Sequence, residues 1–284
     1  MTAVVASARR SPARPRGAGA VLSKCLAIAA MAFRERLRDR AVIVGRVGFY
    51  FLVLLVFARL WQAVLSAEAG RSGSGAEGSW QSYVWYLAVT EWIMLSLPLL
   101  YQDIERDVRS GDIAYHLTRP LPYLASRLAQ AVGDLSLRLL TLAPVGVLFA
   151  RLASGGWPSE PWALLWVVPI GLLASLLMLS FHCCIGLTAF WLQDCTPVYL
   201  VWQKLAFVLG GLMLPLSIYP GWLQSIALAS PFAAMLYGPG RLVLHGSGEA
   251  FSVLAQLSAW LLPMVAVVAV VQRRAARALD VNGG

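Results

Sequence analysis

With 284 residues, 59% of them hydrophobic, only 13% charged, and 11 tryptophans, the chain has a mean hydropathy of +0.69. That balance excludes an ordinary water-exposed domain and makes the bilayer its solvent. The formal net charge of +9 lies beside the apolar segments, where basic residues meet anionic lipid headgroups, so membrane lipid is the expected partner and nucleic acid is not.

Residues 1–20, rich in Pro, Gly, Ala and Arg with no apolar period, read as a disordered basic arm. In 21–38, Leu22, Leu26, Ala29, Ala30, Phe33 and Leu37 recur at helical spacing among charged residues, as suits an amphipathic helix in the inner interface. A span needs about 20 apolar residues, and six windows meet that need: about 41–65, 80–101, 123–150, 162–190, 201–219 and 251–272. The first reads as a retained span because no small-residue cleavage site follows it. Each is helical because lipid leaves an open chain no other way to satisfy its backbone. Gly210, Gly211 and Pro215 interrupt the fifth. Between spans, 67–79 is a Gly/Ser loop, and 220–250 holds apolar stretches too short to cross, expected to dip into the outer leaflet or cap the bundle. The fold class is therefore all-α and polytopic, a single transmembrane domain over 21–275 with a tail at 276–284.

Lys and Arg set the orientation. Residues 1–46 carry ten of the 23, 102–127 four, and the tail Arg273, Arg274 and Arg277, whereas Arg71, Arg151 and Arg241 stand alone in their segments. Both termini and the segment 102–122 are thus expected on the cytoplasmic side. The four cysteines, Cys25, Cys183, Cys184 and Cys195, fall on that side or within spans and imply no disulfide framework.

There is no GxxxxGK[ST] phosphate loop, HExxH, GxSxG or CxxC, so the chain should hold no ATPase site of its own and is not expected to be an enzyme. His116 with Asp112 is the one local acid–base pair, and no nucleophile accompanies it. His182, Cys183 and Cys184 are adjacent; neighbouring helical residues point about 100° apart, so packing rather than a metal is the reading. Intramembrane charge is costly and normally faces a bundle interior or wet cavity. Glu91 in the second span and the i, i+4 pair Asp134 and Arg138 in the third fall at similar depth when counted from the span ends. They are read as one cluster, either an ion-pair network that fixes packing or the polar wall of a translocation route. Titration of Glu91 or Asp134 would be the basis of an alternative, ion-coupled secondary transport.

The stretch RDVRSGDIAYHLTRPLP (106–122) carries five formal charges. QDIERDVR reads as about two helical turns, Ser110 and Gly111 as a break, and 112 onward as a second piece that Pro120 and Pro122 stop. Ile113 and Leu117 form a small apolar ridge rimmed by charge, the kind of face that docks in a groove of another protein.

The order of these elements, the motif DIERDVRSGDIAYHLTRPLPYL, and the late run through Gly210, Gly211, Pro215, Leu216, Pro220, Pro231, Phe232, Tyr237 and Pro239 resemble ABC transporter permeases of the ABC-2 exporter type, in the six-span bacterial branch. The resemblance covers about 21–275. It implies the transmembrane half of an exporter in a bacterial inner membrane, paired with a second permease copy or a related permease. It also implies a separate ATPase subunit that holds the ATP and Mg and receives a coupling helix at Arg109, Gly111, Asp112, Ile113, Leu117, Arg119 and Pro120. Nothing in it identifies the cargo.

Overall fold

The computed structural model describes residues 18–69, 80–112, 121–192 and 194–282. Among them there is no strand; the chain is an all-α polytopic membrane protein. Helix α1 (Ala18–Arg38) begins within the stretch expected to be disordered, and Asp39 separates it from α2 (Arg40–Ala69). Then come α3 (Trp80–Ser96), α4 (Leu100–Ser110), α5 (Tyr123–Ser154) and α6 (Ala163–Leu187), the last extended by a 3-10 turn to Phe190. The chain continues through α7 (Thr196–Leu209), α8 (Gly221–Leu228), α9 (Pro231–Met235), α10 (Tyr237–His245) and α11 (Ala250–Asn282), so helix runs through most of the expected C-terminal tail.

Among the described residues, five helical segments are long and apolar enough to cross a membrane: Arg40–Val64, Trp80–Ser110, Tyr123–Ser154, Ala163–Phe190 and Ser247–Ala275. The sixth expected window, 201–219, is different. Its helix, α7, has 14 residues, a rise of about 21 Å against roughly 30 Å of hydrocarbon. The backbone turns at Gly210 and Gly211, and α3 holds the turn: the Tyr86 hydroxyl donates to the Gly211 carbonyl, and Thr90 Oγ1 donates to the Leu212 carbonyl at 2.8 Å. The chain then returns in the short helices α8 to α10, of which α10 packs against α3 and α6.

Sequence explains why α3 is central. WQSYVWYLAVTEWIMLS is apolar or aromatic on every face, and a helix without a polar side belongs inside a bundle. Of its most apolar window 89% is buried, against 17% for α2 and 11% for α11, which turn Phe51, Leu52, Val56, Leu262 and Val265 outward.

Helix α1 packs along α5, turning Val21, Cys25, Ile28, Ala29, Ala32 and Phe33 inward and leaving Leu22, Leu26 and Met31 exposed. The face expected from Leu22 and Leu26 is therefore rotated, because the small residues Ala29 and Ala32 allow the closer approach. At Gly133 that approach is tight: an added Cβ would collide with the Ala29 carbonyl.

Candidate functional site

The second membrane helix is broken where the charge begins. Leu97, Pro98 and Leu99 separate α3 from α4, and proline there interrupts the helical ladder, with Pro98 O taken up by the Leu100 N–H at 2.9 Å in a tight turn. Two side chains from other helices also reach the carbonyls of this break. Arg138 Nη1 on α5 donates to Leu97 O at 3.0 Å, and the ring of His182 on α6 meets Pro98 O through Nδ1 at 3.1 Å. The acceptor is a carbonyl, so Nδ1 carries the proton in this contact. Asp134 aims the arginine by accepting from Arg138 Nε at 2.9 Å and Nη2 at 2.7 Å, a bidentate, charge-assisted arrangement. Arg36 of α1 stands 3.7 Å from the same carboxylate, and Arg46 of α2 is within electrostatic reach of all three.

This belt of charge marks a change in the bundle. On one side α3 carries a single acid, Glu91; on the other α4 carries Asp103, Glu105, Arg106, Asp107 and Arg109. The first half of α5 runs past the end of α3, flanked by α1 and α4. Together α1, α4 and this part of α5 form an end that projects beyond the apolar body.

Helix α4 is fixed at both ends. Tyr101 stacks on Tyr199 of α7 at 4.3 Å and meets His182 edge-on at 5.8 Å, while Ile104 is fully buried. At the other end Asp107 accepts from Tyr123 Oη, Arg127 Nε and Arg127 Nη2, each at 2.6 Å. Tyr123 and Arg127 open α5, so one carboxylate clamps the two helices that flank the segment 111–122. Leu121 is buried beside the clamp, and Pro122, in extended conformation, leads into α5.

Of the residues expected to couple to an ATPase, Arg109, Gly111 and Asp112 are on this end and exposed. Gly111 caps α4 with φ 78°, its N–H donating to Val108 O at 3.3 Å. That left-handed conformation is one glycine adopts at no steric cost. Ser110 Oγ donates to Asp112 Oδ2 at 2.8 Å, so the break expected at Ser110 and Gly111 is present. Arg109 Nη1 reaches Glu105 Oε1 at 3.1 Å. Nearby, hydrogen bonds from the Thr196 side chain and N–H hold Asp194 below the usual aspartate range, and the Arg109 charge acts in the same direction. Ile113, Leu117, Arg119 and Pro120 lie outside the described residues, as does His116.

The three intramembrane charges do not form one cluster. Asp134 and Arg138 are paired, at the level of Leu97. Glu91 lies six residues back along α3, about 9 Å by helical rise, and its carboxyl makes no hydrogen bond or ion pair among the described residues. It is only 4% exposed and sits near Tyr50, whose hydroxyl donates to Ala88 O at 2.7 Å. Counting depth from the ends of α5 gave the wrong level because half of that helix extends past the apolar body.

His182 and Cys183 are core residues, with His182 enclosed by Tyr101, Tyr199 and Trp202. The sequence reading missed the clamp and the carbonyl cap. For the clamp a signal existed, an acid and a base just inside the two ends of one charged loop. For the cap there was none, because His182 meets Pro98 only through tertiary packing.

A family model described as ABC-2 family transporter protein matches residues 80–280. No curated protein matches the chain. The matched range takes in α3 to α11, including the broken helix, the clamp and the late run of short helices, and the chain belongs to the ABC-2 transporter family as one of its membrane permeases.

Proposed function

We propose that this chain is the membrane subunit of an ATP-driven exporter in a bacterial inner membrane, and that segment 102–122 docks on a separate ATPase subunit that holds the ATP and Mg. Arg109, Gly111, Asp112, Ile113, Leu117, Arg119 and Pro120 form the docking segment. The projecting end and both termini face the cytoplasm, and α1 lies along the inner interface. The working unit is a dimer, with itself or with a related permease, since a route between two bundles needs both. The cargo is amphipathic or lipid-like.

The observation that supports this reading is the Asp107, Tyr123 and Arg127 clamp. A loop held by one flexible strand would absorb a push. Here it is mounted on two helices that are bonded to each other and continue into the bundle, so displacement of the loop moves α4 and α5 together. Asp134 is locked into a bidentate pair with its arginine, which favours a packing role there over ion coupling. Glu91 alone keeps that alternative open.

The test is co-purification with candidate ATPase subunits of the same organism, followed by ATP hydrolysis in lipid. Wild type should retain a stoichiometric ATPase, and Leu117→Asp and Gly111→Pro should lose binding or coupling while the permease stays folded. If no ATPase is retained and both variants behave as wild type, the loop is a topological spacer and Glu91 becomes the residue to test for ion coupling.

A further inference from the structure

At the opposite end from the docking segment, the faces of α2 and α5 leave a slot of about 480 Å³, within the size range of small-molecule sites. Its walls are almost wholly apolar. Phe51 and Leu55 of α2 face Leu148 and Leu152 of α5, and Phe149 closes the floor with its ring edge-on to Phe51 at 5.4 Å. Leu148 and Leu152 are 61% and 73% exposed, so the slot opens sideways, toward lipid in a chain of this family.

One charge stands in it. Arg59 lines the slot with Gln62 and Trp80 and lies within the apolar segment Arg40–Val64. Its guanidinium donates to no acid among the described residues: its one hydrogen bond there is from Nη1 to Gln62 Oε1 at 3.4 Å, and none of the ion pairs includes it. Arg59 is exposed and close to the end of that segment, the level at which an arginine head reaches the lipid headgroups. Other arginines at this end are partnered: Arg151 lies over the Trp157 ring at 5.7 Å and Arg241 pairs with Glu249 at 3.1 Å. Arg59 has no such contact among the described residues, and it lines a slot whose other surfaces fit a hydrocarbon chain.

We propose that this slot binds an anionic phospholipid of that leaflet, with one acyl chain between α2 and α5 and the phosphate on Arg59. The planar guanidinium presents paired donors that match phosphate oxygens, which an ammonium does not. The acyl chain fills a groove that would otherwise lose dispersion contacts along its walls. The ligand is distinguished from bulk lipid by its net negative charge, because a zwitterionic headgroup brings its own cation to the phosphate and gains less from Arg59.

The experiment is native mass spectrometry of the full chain in detergent, titrated with phosphatidylglycerol or phosphatidylcholine of matched acyl length. Wild type should retain one phosphatidylglycerol about tenfold more tightly than phosphatidylcholine, the scale of a charge-assisted hydrogen bond. Arg59→Gln should abolish the headgroup preference, and Arg59→Lys should restore it in part. Leu148→Trp, which fills the slot from an exposed position, should weaken both lipids alike, and Arg241→Gln should change nothing. Equal retention of the two lipids by wild type, or an unchanged preference in Arg59→Gln, would overturn the proposal. So would efficient disulfide formation between copies carrying Leu152→Cys, since a second copy would then cover the slot. No outcome depends on an ATPase partner.

Discussion

The two ends of the bundle are held by different interactions. At the projecting end the contacts between helices are charged and directional: Asp107 with Arg127 and Tyr123, Asp134 with Arg36, and Arg138 with the Leu97 carbonyl. At the far end they are mostly aromatic. Trp85 stacks on Trp157 at 6.0 Å, Trp61 on Tyr83 at 5.7 Å, and Arg151 covers the outer face of Trp157. Bidentate pairs fix register and angle, because a small slip breaks them. Stacked rings tolerate sliding at small cost. A mechanical load on the docking segment would thus be passed on as a rigid displacement at one end, while the other end can repack around it.

The sharpest way to break that comparison is to cut the clamp. Arg127→Ala leaves the Asp107 carboxylate nearly buried with one donor in place of three, and removing one partner of such a pair costs about 3 kcal/mol. Thermal unfolding in detergent should show a large drop. Replacing both partners, Asp107→Asn with Arg127→Gln, should recover part of it, because no uncompensated charge remains. If Arg127→Ala unfolds like wild type, the projecting end is not held by its ion pairs.

A second effect concerns α1, which has no ionic clamp of comparable geometry. Gly133→Ala places a methyl group against the Ala29 carbonyl, and overpacking of this kind costs about 1–3 kcal/mol. The strain is relieved most easily by lifting α1 off α5. Cys25 lies on that face, its Sγ 4.0 Å from Ala125 O, so its labelling by a maleimide should speed up in the variant. Cys183 and Cys195 are fully buried and should stay slow. Unchanged labelling of Cys25 would mean that α5, not α1, gives way.

At the aromatic end, Trp157→Ala removes one stacked pair and one cation–π contact from a ring that is 55% exposed. The loss should be about 1 kcal/mol, well below that of Arg127→Ala. Reversal of that order would invert the comparison.

The sequence made the spans legible because hydropathy reports the solvent of each helix face directly. It placed α4, the Ser110 and Gly111 break and the start of α5 for local reasons, charge followed by cap residues. What it could not show was level. Asp134 and Arg138 seemed to lie mid-membrane because periodicity does not reveal how far one helix slides past another, and only the contact with Leu97 O fixes it. The 201–219 window failed for a related reason. Its composition is apolar enough to span, but Gly210 and Gly211 let the chain turn back, and the side chains that hold the turn, Tyr86 and Thr90, lie more than a hundred residues earlier. Asp107 was in view as one charge of a charged loop, while its partners waited in what read as the next span.

The smallest predicted effect tests a carboxylate contact at the far end, beside the Arg241 and Glu249 ion pair of 3.1 Å. Glu160, between α5 and α6, accepts from Ser247 N at 2.8 Å and Ser247 Oγ at 2.9 Å. These bonds, the backbone N–H first and the hydroxyl second, hold its carboxyl below the ordinary glutamate value of 4.5. A carboxylate depressed in the folded state stabilises the fold fully above its unfolded pKa, and that contribution fades as pH falls through the lower folded value. The wild-type advantage in melting temperature over Glu160→Gln should therefore be flat from neutral pH down to just above 4.5, and shrink below it. Both groups are exposed, so water competes for the bonds and the difference should be close to the limit of measurement. Ser247→Ala, which keeps the stronger backbone donor, should shrink the advantage without removing it. An advantage that instead grew on acidification would mean that Glu160 is better bonded when protonated, and the loop between α5 and α6 would then be tied to the turn before α11 by a neutral hydrogen bond rather than by charge.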